Sequence, residues 1–478
     1  MRNLTMMTDL YQLTMMYGYW KHGMQKNRAV FDLYYRKQGD VTAHAIAAGL
    51  EQAIHYIQNL SFDEEDLSYL RSLKLFDESF LQELSRLRFT GDLHALPEGT
   101  VVFPNEPIIR VYAPIMEAQF IETALLNIVN HQTLIATKAA RVCQAAQGGS
   151  VLEFGLRRAQ GPDAGIYGAR AAIIGGCSAT SNVLTGQMFG IPVKGTHAHS
   201  WVMSFESELE AFRAYAETFP DSCMLLVDTY DTLRSGVPNA ITVFEELREK
   251  GYEPVGIRLD SGDMTYLSRT ARKMLDDAGF PNTKIFASGD LDEDVIWNLK
   301  AQGAQIDVWG VGTRLITSQD NPALGGVYKL AAEEIGGTLY PRIKISENPQ
   351  KITNPGLKVL YRVYDRKTEK ALADLIALEE EQYDESQPLR LFDPENTWKS
   401  MTVTDYILRP MLVPVFLSGE LVYTSPALTQ IKAYAAKELD TLWGEYKRLQ
   451  APHRYKVDLS QPLYDLKQRL LAEGSTAV

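Results

Sequence analysis

Between residues 150 and 332, short apolar runs alternate with amphipathic stretches, and this rhythm constrains the fold more than any other feature of the sequence. The runs are VLEFGLRR (151–158), IPVKGTHAH (191–199), CMLLVDTYD (223–231), PVGIRLDSGD (254–263), KIFASGDL (284–291), IDVWGVGT (306–313) and VYKLAA (327–332). Helical patterns separate several of them, at 240–251, 268–279 and 292–303. Apolar strands that alternate with helices predict a parallel sheet. The number of repeats favours an irregular α/β barrel over an open sheet.

The regions on either side of this repeat predict a second, mixed α/β domain. Thr8 and Asp9 precede an amphipathic pattern and predict the start of a helix. Prolines within 101–114 predict edge strands or turns, and the β-rich pieces of 341–365 predict a return to the first domain. Further elements are predicted as a strand over 30–37 and as helices over 45–60, within 62–88, over 117–146 and from 426 onward.

The charge and cysteine content narrow the class of protein. The net charge is -12, with 60 acidic and 48 basic residues, which argues against nucleic acid or an anionic membrane as the main partner. A small phosphorylated ligand stays compatible with this charge. Cys143, Cys177 and Cys223 form no CxxC pair and predict free thiols in a reducing compartment. Because no apolar run approaches the roughly 18 residues that span a bilayer, and no secretion signal is recognisable, we expect a cytoplasmic protein.

Polar residues end nearly every predicted barrel strand, where ligands bind in parallel α/β barrels. We therefore expect these strand ends to converge on one rim. They are Arg157-Arg158, Gly195 to His199, Asp228 to Asp231, Arg258 to Asp263, Ser288 to Asp290 and Gly310 to Thr313.

Three glycines of this rim suggest a phosphate site. Gly289, Gly310 and Gly312 would let backbone N–H groups approach an anion closely. The alternative is that these glycines only form tight turns, and the pattern alone leaves both interpretations open.

RLDSGD places one cation and two carboxylates at a single strand end. Arg258 could bind a carboxylate or a phosphate with two parallel hydrogen bonds. Asp260 and Asp263 could bind ribose hydroxyls or hold Mg²⁺ through water. A solvated arginine–aspartate surface cluster is the alternative interpretation.

The two histidines of GTHAH lie two residues apart, so an extended chain would point them in opposite directions. Zinc binding by His197 and His199 is disfavoured because no further histidine or cysteine is close in sequence. A histidine at a barrel strand end is a candidate for acid–base or nucleophilic chemistry. Several aromatic residues, among them Tyr11, lie near the N-terminus. We expect them to pack against a helix, and stacking on a flat ligand ring is the alternative.

The combination of motifs resembles the nicotinate phosphoribosyltransferase family. The motifs are TDLYQLTM (8–15), EFGLRRAQGPD (153–163), GTHAHSW (195–201), LLVDTYDT (225–232), GIRLDSGD (256–263) and WGVGT (309–313). The resemblance implies a type II phosphoribosyltransferase fold, an irregular α/β barrel plus an α/β sandwich domain, assembled as a homodimer with shared active sites. The domains would be the N-terminal sandwich (1–140), the catalytic barrel (141–340) and a C-terminal segment (341–478) that partly returns to the sandwich.

The resemblance also implies the reaction. Nicotinate and 5-phosphoribosyl 1-diphosphate would give nicotinate mononucleotide and pyrophosphate, with Mg²⁺ as cofactor and ATP as co-substrate. His199 would be the phosphorylated histidine, Arg258 and Asp260 would be the other catalytic residues, and Asp260 or Asp263 could contact Mg²⁺ through water. Tyr11 would stack on the pyridine ring from the partner subunit. The other implied substrate-binding residues are Thr196 and Arg258 at nicotinate, Thr313 at the phosphate, and Arg157, Asp263, Gly289, Asp290, Gly310 and Gly312.

Two rival functions stay open at this point. One is a related transferase that uses nicotinamide or quinolinate, because Arg258 alone does not separate these rings. The other is a non-catalytic phosphosugar sensor on the same barrel, against which the retained His199, Arg258, Asp260 and Asp263 count.

Overall fold

The computed structural model describes residues 3–36 and 43–476. The chain forms two compact units, one of residues 134–322 and one of residues 1–133 together with 323–478. The first division falls within the helix α6 (Glu122–Ala145).

Strands and helices cover most of the described residues. In chain order, the strands are β1 (Arg28–Tyr35), β2 (Ala45–Ile46), β3 (Asp92–Ala95), β4 (Val101–Val102), β5 (Ile109–Pro114), β6 (Ser150–Glu153), β7 (Ala179–Thr180), β8 (Met224–Leu226), β9 (Gly256–Leu259), β10 (Lys284–Gly289), β11 (Val308–Val311), β12 (Gly326–Ile335), β13 (Thr338–Pro341), β14 (Lys358–Asp365), β15 (Ala371–Leu378), β16 (Leu389–Phe392), β17 (Ser400–Val403), β18 (Tyr406–Pro410), β19 (Val413–Leu417), β20 (Glu420–Leu421) and β21 (Val457–Leu459). The helices are α1 (Leu10–Lys21), α2 (Leu50–Gln58), α3 (Glu64–Ser72), α4 (Glu78–Ser85), α5 (Ile115–Phe120), α6 (Glu122–Ala145), α7 (Pro162–Ile174), α8 (Val183–Phe189), α9 (His199–Met203), α10 (Glu208–Thr218), α11 (Val237–Glu249), α12 (Met264–Asp277), α13 (Glu293–Ala301), α14 (Thr313–Ile316), α15 (Leu428–Thr441) and α16 (Gln461–Thr476).

The unit of residues 134–322 is built on a parallel sheet with the order β7-β6-β11-β10-β9-β8. A parallel bridge between Thr180 and Val193 adds one more strand-like segment beside β7. From β6 to β7 and from β8 to β11, each strand pairs with the next one in the chain, and the last strand, β11, pairs with the first, β6. This cyclic order is that of an α/β barrel, with one junction, between Val193 and β8, that has no ladder. Helices α11, α12 and α13 follow β8, β9 and β10, as the apolar rhythm predicted.

Fully buried side chains form the interior of this unit. Leu225, Ile257, Ile285 and Trp309 come from four neighbouring strands and have no solvent exposure. Burial on both faces explains why the strands read as continuous apolar runs rather than as an alternating pattern. The polar residues that follow each strand are thereby kept at the strand ends.

The other unit contains a sheet of the order β13-β12-β1-β5-β3-β19-β20 and a second sheet of the order β18-β14-β15-β21. Strand β1 lies between β5 and β12 and is antiparallel to both. Strands from before and after the barrel thus share one sheet, which is how residues beyond 340 return to the first unit. Helix α15 lies within the tail pattern predicted from 426 onward.

Three sequence-based predictions of strands and helices are wrong in part. VYKLAA (327–332) is not a barrel strand, because β12 pairs along its length with β1 and Tyr328 stacks on Phe31 at 4.8 Å between ring centres. The helix predicted over 45–60 begins only at Leu50, after Gly49 adopts the left-handed conformation at φ 102°. Strand β5 is central rather than an edge strand, because the prolines flank it or end it.

Two further comparisons concern the beginning of the chain. Asp9 occupies the N-cap position of α1 as predicted, but its side chain accepts a hydrogen bond from Thr123 Oγ1 at 3.1 Å instead of capping the helix. The strand predicted over 30–37 is present as β1, and Lys37 lies outside the described residues. None of the helices within the described ranges is long and apolar enough to cross a membrane.

Candidate active site

Arg258 is the centre of a hydrogen-bonded cluster at the ends of the barrel strands. Its Nε donates to Ser288 Oγ at 2.8 Å, Nη1 to Thr196 Oγ1 at 3.2 Å and Nη2 to Asp260 Oδ1 at 2.9 Å. The side chain is 17% exposed. Because three separate chain segments hold the guanidinium group, its plane is fixed before any ligand arrives, which favours two-point recognition of a planar anion.

Asp260 is held as a carboxylate by this cluster. Burial alone would raise its pKa, but hydrogen bonds from Ser288 and Arg258 and the charge of Arg258 outweigh burial and keep the pKa below its usual value. Asp228 fixes the same corner, since its Oδ2 accepts from the Asp260 backbone N–H at 3.0 Å and from Ser261 Oγ at 2.7 Å. The Asp260 charge is therefore available at neutral pH.

His199 lies beside this carboxylate at the start of α9. Its Nε2 is 3.7 Å from Asp260 Oδ2, and its Nδ1 is 3.2 Å from Thr229 Oγ1. The side chain is 40% exposed. An imidazole that is accessible to ligands and has a carboxylate next to one nitrogen can accept a transferred group and be stabilised as a cation.

His197 has a different environment from His199. It is buried between the rings of Phe212 and Tyr215, and burial lowers its pKa to about 4. The Leu226 backbone N–H donates to His197 Nε2 at 3.3 Å. His197 thus supplies an acceptor to β8 at the junction where the barrel has no strand partner. The structure buries His197 and leaves His199 accessible, and the assignment of chemistry to His199 alone stays a prediction.

The predicted phosphate glycines lie at the ends of two neighbouring strands. Gly289 pairs with Val311 in the β10–β11 ladder, so Gly289 and the segment from Gly310 to Thr313 are adjacent. Gly289 has φ 122°, and an added Cβ would lie 2.9 Å from the Asp260 carbonyl oxygen. A Cβ at Gly310 would lie 2.8 Å from the Phe154 ring. The left-handed backbone requires glycine at Gly289, and a side chain at Gly310 would require the Phe154 ring to move. The exposed Asp290 and the half-buried Thr313 follow these strand ends.

Three predicted site residues take no part in the cluster around Arg258. Asp263 is exposed and caps α12, where its Oδ1 accepts from the Tyr266 backbone N–H at 3.0 Å. Arg157 is exposed on a short turn after β6. Tyr11 belongs to the other unit, on α1, where its side chain is 47% exposed. Burial of part of the ring, followed by the charges of Glu122 and Asp9, raises the Tyr11 pKa.

The structure assigns contacts to residues that received no role from the sequence. Ser288, Asp228 and Thr229 were strand-end polar residues, but no spacing indicated that they hold Arg258, Asp260 and His199. Such contacts depend on which strands are neighbours, and chain order alone does not fix that.

The barrel order and this polar rim define the class of protein as a type II phosphoribosyltransferase. Two solved structures have the same fold. A crystal structure of human nicotinic acid phosphoribosyltransferase matches with a TM-score of 0.86 and 32% identity, covering 97% of this chain and 99% of that one. A nicotinate-nucleotide pyrophosphorylase from Pyrococcus furiosus matches in fold, with a TM-score of 0.70 and 22% identity over 92% of this chain and 96% of that one.

Sequence comparison identifies the family. Residues 6–130, 150–374 and 357–467 match, in that order, the models of the nicotinate phosphoribosyltransferase N-terminal domain, family and C-terminal domain. A nicotinate phosphoribosyltransferase of Bacillus subtilis is 51% identical over 100% of this chain and 97% of the relative. A nicotinate phosphoribosyltransferase of Dictyostelium discoideum is 38% identical over 97% of this chain and 88% of the relative. The chain belongs to the nicotinate phosphoribosyltransferase family.

Proposed function

We propose that the chain joins nicotinate to 5-phosphoribosyl 1-diphosphate, in an ATP-coupled reaction that gives nicotinate mononucleotide and pyrophosphate. This reaction would be the first step in the salvage of NAD from nicotinate. The observation that supports this proposal most strongly is the cluster of Arg258, Asp260 and His199. It lies next to the glycine-bearing ends of β10 and β11. The cluster offers a fixed cation for a ring carboxylate, a histidine for phosphoryl transfer and backbone N–H groups for a phosphate.

Positioning supplies most of the catalysis in this proposal. The pyridine nitrogen is itself the nucleophile, so no strong protein base is required. It attacks the ribose carbon as the bond to pyrophosphate breaks. Arg258 and Thr196 would hold the nicotinate carboxylate, and the Gly310–Thr313 segment would hold the phosphate of the sugar. Fixing two reactants in line removes an entropic cost that amounts to about 7–11 kcal/mol in well-oriented intramolecular reactions.

His199 would couple the reaction to ATP. A ring nitrogen of His199 attacks the γ-phosphorus of ATP, and the phosphorus–oxygen bond to ADP breaks as the nitrogen–phosphorus bond forms. The Asp260 carboxylate, 3.7 Å from Nε2, would stabilise the cationic ring. The phosphohistidine then adds anionic oxygens beside the sugar site, and its hydrolysis draws the equilibrium toward product.

Mg²⁺ fits the rim as a companion of the substrate phosphates. The described part of the chain has no group of three or more histidine, cysteine, aspartate or glutamate side chains able to hold a metal by themselves. Mg²⁺ commonly binds one or two carboxylates together with substrate phosphates. Asp228 is a carboxylate of this kind, because its buried Oδ1 has no hydrogen-bond partner among the described residues. Asp260 or Asp263 could contact the ion through water, and bound Mg²⁺ would neutralise charge on the leaving pyrophosphate.

Two exposed apolar surfaces support a homodimer with shared sites. Helix α1 exposes Leu10, Tyr11 and Met15, and α8 exposes Val183 and Leu184, the last two at 71% and 49%. Clustered exposed apolar side chains are typical of protein interfaces. In this proposal, Tyr11 reaches the pyridine ring in the partner's site. A cytoplasmic location also belongs to the proposal, and the three cysteines, which form no disulfide within the described residues, fit a reducing compartment.

Nicotinamide is the second candidate substrate. Asp260 Oδ1 accepts from Arg258, and the other oxygen, Oδ2, would be an acceptor for an amide beside the donor for a carboxylate. The family relationship favours nicotinate. Quinolinate, with its second carboxylate, would need a further cation at the ring, and a phosphosugar sensor would bind without turnover.

One assay separates these functions. Purified protein is incubated with 5-phosphoribosyl 1-diphosphate, Mg²⁺ and either nicotinate, nicotinamide or quinolinate, with and without ATP, and mononucleotide formation is followed. We expect the largest kcat/KM with nicotinate and stimulation by ATP. Preference for the amide or for quinolinate would assign the function to a rival transferase, and tight binding without turnover would assign it to a sensor.

A further inference from the structure

The loops that follow β10 and β11 are joined by ion pairs that the proposed reaction does not use directly. The first loop leads from Gly289 into α13, and the second from Gly312 through α14. Asp292 caps α13 by accepting from the Val295 backbone N–H at 2.8 Å, and it also pairs with Arg314 of α14. One ion pair therefore already crosses from the first glycine loop to the second.

Lys138, on helix α6, makes a second connection between the segments that follow the two glycine loops. Its Nζ lies 2.6 Å from Glu293 Oε2, at the start of α13, and 2.5 Å from Asp320 Oδ1, just after α14. Arg141, one turn further along α6, holds the other Glu293 oxygen at 2.7 Å. The Lys138 and Glu293 side chains are 4% and 2% exposed. A single buried ammonium group thus connects the start of α13 to the segment after α14.

The charges in this group balance within it. Three cations, Lys138, Arg141 and Arg314, face three carboxylates, those of Asp292, Glu293 and Asp320. Hydrogen bonds from the Val295 N–H and from Arg314 overcome burial and hold the Asp292 pKa below its usual value. Since each cation has a carboxylate partner, the group does not need a phosphate to neutralise it. Its geometry suits a support for the loops better than a direct anion site.

We infer that Lys138, with Arg314, is a positioning residue that sets the spacing between the two glycine loops and so determines affinity for the phosphorylated sugar. The inference rests on the proposed function for its choice of ligand. Loss of Lys138 would leave Glu293 as a buried anion without its closest cation. The start of α13 would shift toward solvent, and the backbone N–H groups of the two loops would no longer converge. Nicotinate, held by Arg258 on neighbouring strands, would be affected much less.

The test measures binding of 5-phosphoribosyl 1-diphosphate with Mg²⁺ by calorimetry, without nicotinate, alongside steady-state kinetics. For Lys138→Met, we expect Kd and KM for this substrate to rise by roughly tenfold or more, with the KM for nicotinate changed by less than about threefold. Lys138→Arg keeps the charge and should restore most of the affinity. Arg314→Gln, at a more exposed position, should raise the same Kd by about threefold and carries the test if Lys138→Met does not fold.

Lys358 provides a matched control. It is equally buried, at 3% exposure, and pairs with Asp32 at 2.7 Å in the other unit. Lys358→Met should lower the thermal midpoint as Lys138→Met does, while leaving the Kd for 5-phosphoribosyl 1-diphosphate unchanged. Equal Kd values for wild type and the folded Lys138 and Arg314 variants, or an equal loss in Lys358→Met, would overturn the inference.

Failure of the proposed function gives a different result. A wild-type protein that binds the phosphorylated sugar but forms no nicotinate mononucleotide would refute the reaction, and the variant Kd values would still decide the role of Lys138. A wild-type protein that binds no 5-phosphoribosyl 1-diphosphate would refute both.

Discussion

At the scale of single residues, the proposed recognition of nicotinate would depend on the fixed orientation of Arg258. Ser288, Thr196 and Asp260 each take one of its N–H groups, so little side-chain freedom is left to lose on binding. A lysine would keep the charge but not the planar fork. Arg258 would therefore contribute both to the affinity for nicotinate and to the orientation of its ring.

Arg258→Gln should lower kcat/KM for nicotinate by roughly 10- to 150-fold, mainly through KM, because a hydrogen bond to a charged group contributes about 1.5–3 kcal/mol. Initial rates across a nicotinate series measure this. Arg213→Gln, which breaks only the surface pair with Glu246, is the control and should have no effect. An unchanged KM in Arg258→Gln would exclude contact with the ring carboxylate.

His199→Ala should abolish stimulation by ATP while basal, ATP-independent synthesis of the mononucleotide remains. The physical reason is that the variant has no ring nitrogen to accept the γ-phosphoryl group. Parallel labelling with γ-³²P-ATP should give an acid-labile phosphoprotein in wild type only. Unchanged ATP coupling in the variant would assign the phosphoryl acceptor to another residue.

At the scale of elements, His197 replaces a missing strand contact between the Val193 segment and β8. A neutral ring is required, because Nε2 accepts from the Leu226 N–H. The folded pKa of about 4 lies below the usual 6.5, so the unfolded chain binds a proton more readily than the folded chain between these values. Stability is therefore fully present above pH 6.5 and falls as the pH drops toward 4.

His197→Gln should flatten this pH dependence, since glutamine keeps an acceptor but does not titrate. Between pH 6.5 and 4, titration of His197 should lower the free energy of unfolding of the wild type by up to about 3 kcal/mol, as the shift of its pKa implies. Urea unfolding midpoints at pH 7, 6 and 5 measure it. His197→Leu, which leaves the Leu226 N–H unsatisfied, should be less stable than His197→Gln at every pH. Parallel midpoint curves for wild type and His197→Gln would contradict this account.

Sequence patterns predicted the barrel elements well where the strands are buried along their whole length, as for β8 to β11. They predicted poorly where a strand pairs with one that is far away in the sequence. VYKLAA has the apolar character of a barrel strand, and only its partner β1 reveals that it belongs to the other sheet. In the site, motif residues such as Thr196, Arg258 and Asp260 could be named in advance. Ser288 and Asp228, which hydrogen-bond to these residues, could not be named in advance. Hydroxyl and carboxylate side chains occur at many strand ends, and the order of the strands in the sheet decides which of them meet.

At the scale of the whole molecule, the proposed shared site predicts complementation between subunits. Tyr11→Ala and Arg258→Gln should each be poorly active alone. After mixing, unfolding and refolding in equal amounts, about a quarter of the sites should be intact, because half of the dimers are mixed and each of these restores one site of two. Activity assays of the refolded mixture measure this. No gain over the separate variants would show that Tyr11 acts within its own subunit or not at all.

A crystal structure with nicotinate mononucleotide bound tests most directly whether the strand ends share one ligand. We predict that the ring carboxylate lies within hydrogen-bonding distance of Arg258 and Thr196. The 5′-phosphate should lie against the backbone N–H groups that follow Gly289 and Gly310, with His199 beside the ribose. A mononucleotide bound elsewhere, or with its phosphate at Arg258 and its ring at the glycine loops, would contradict the account.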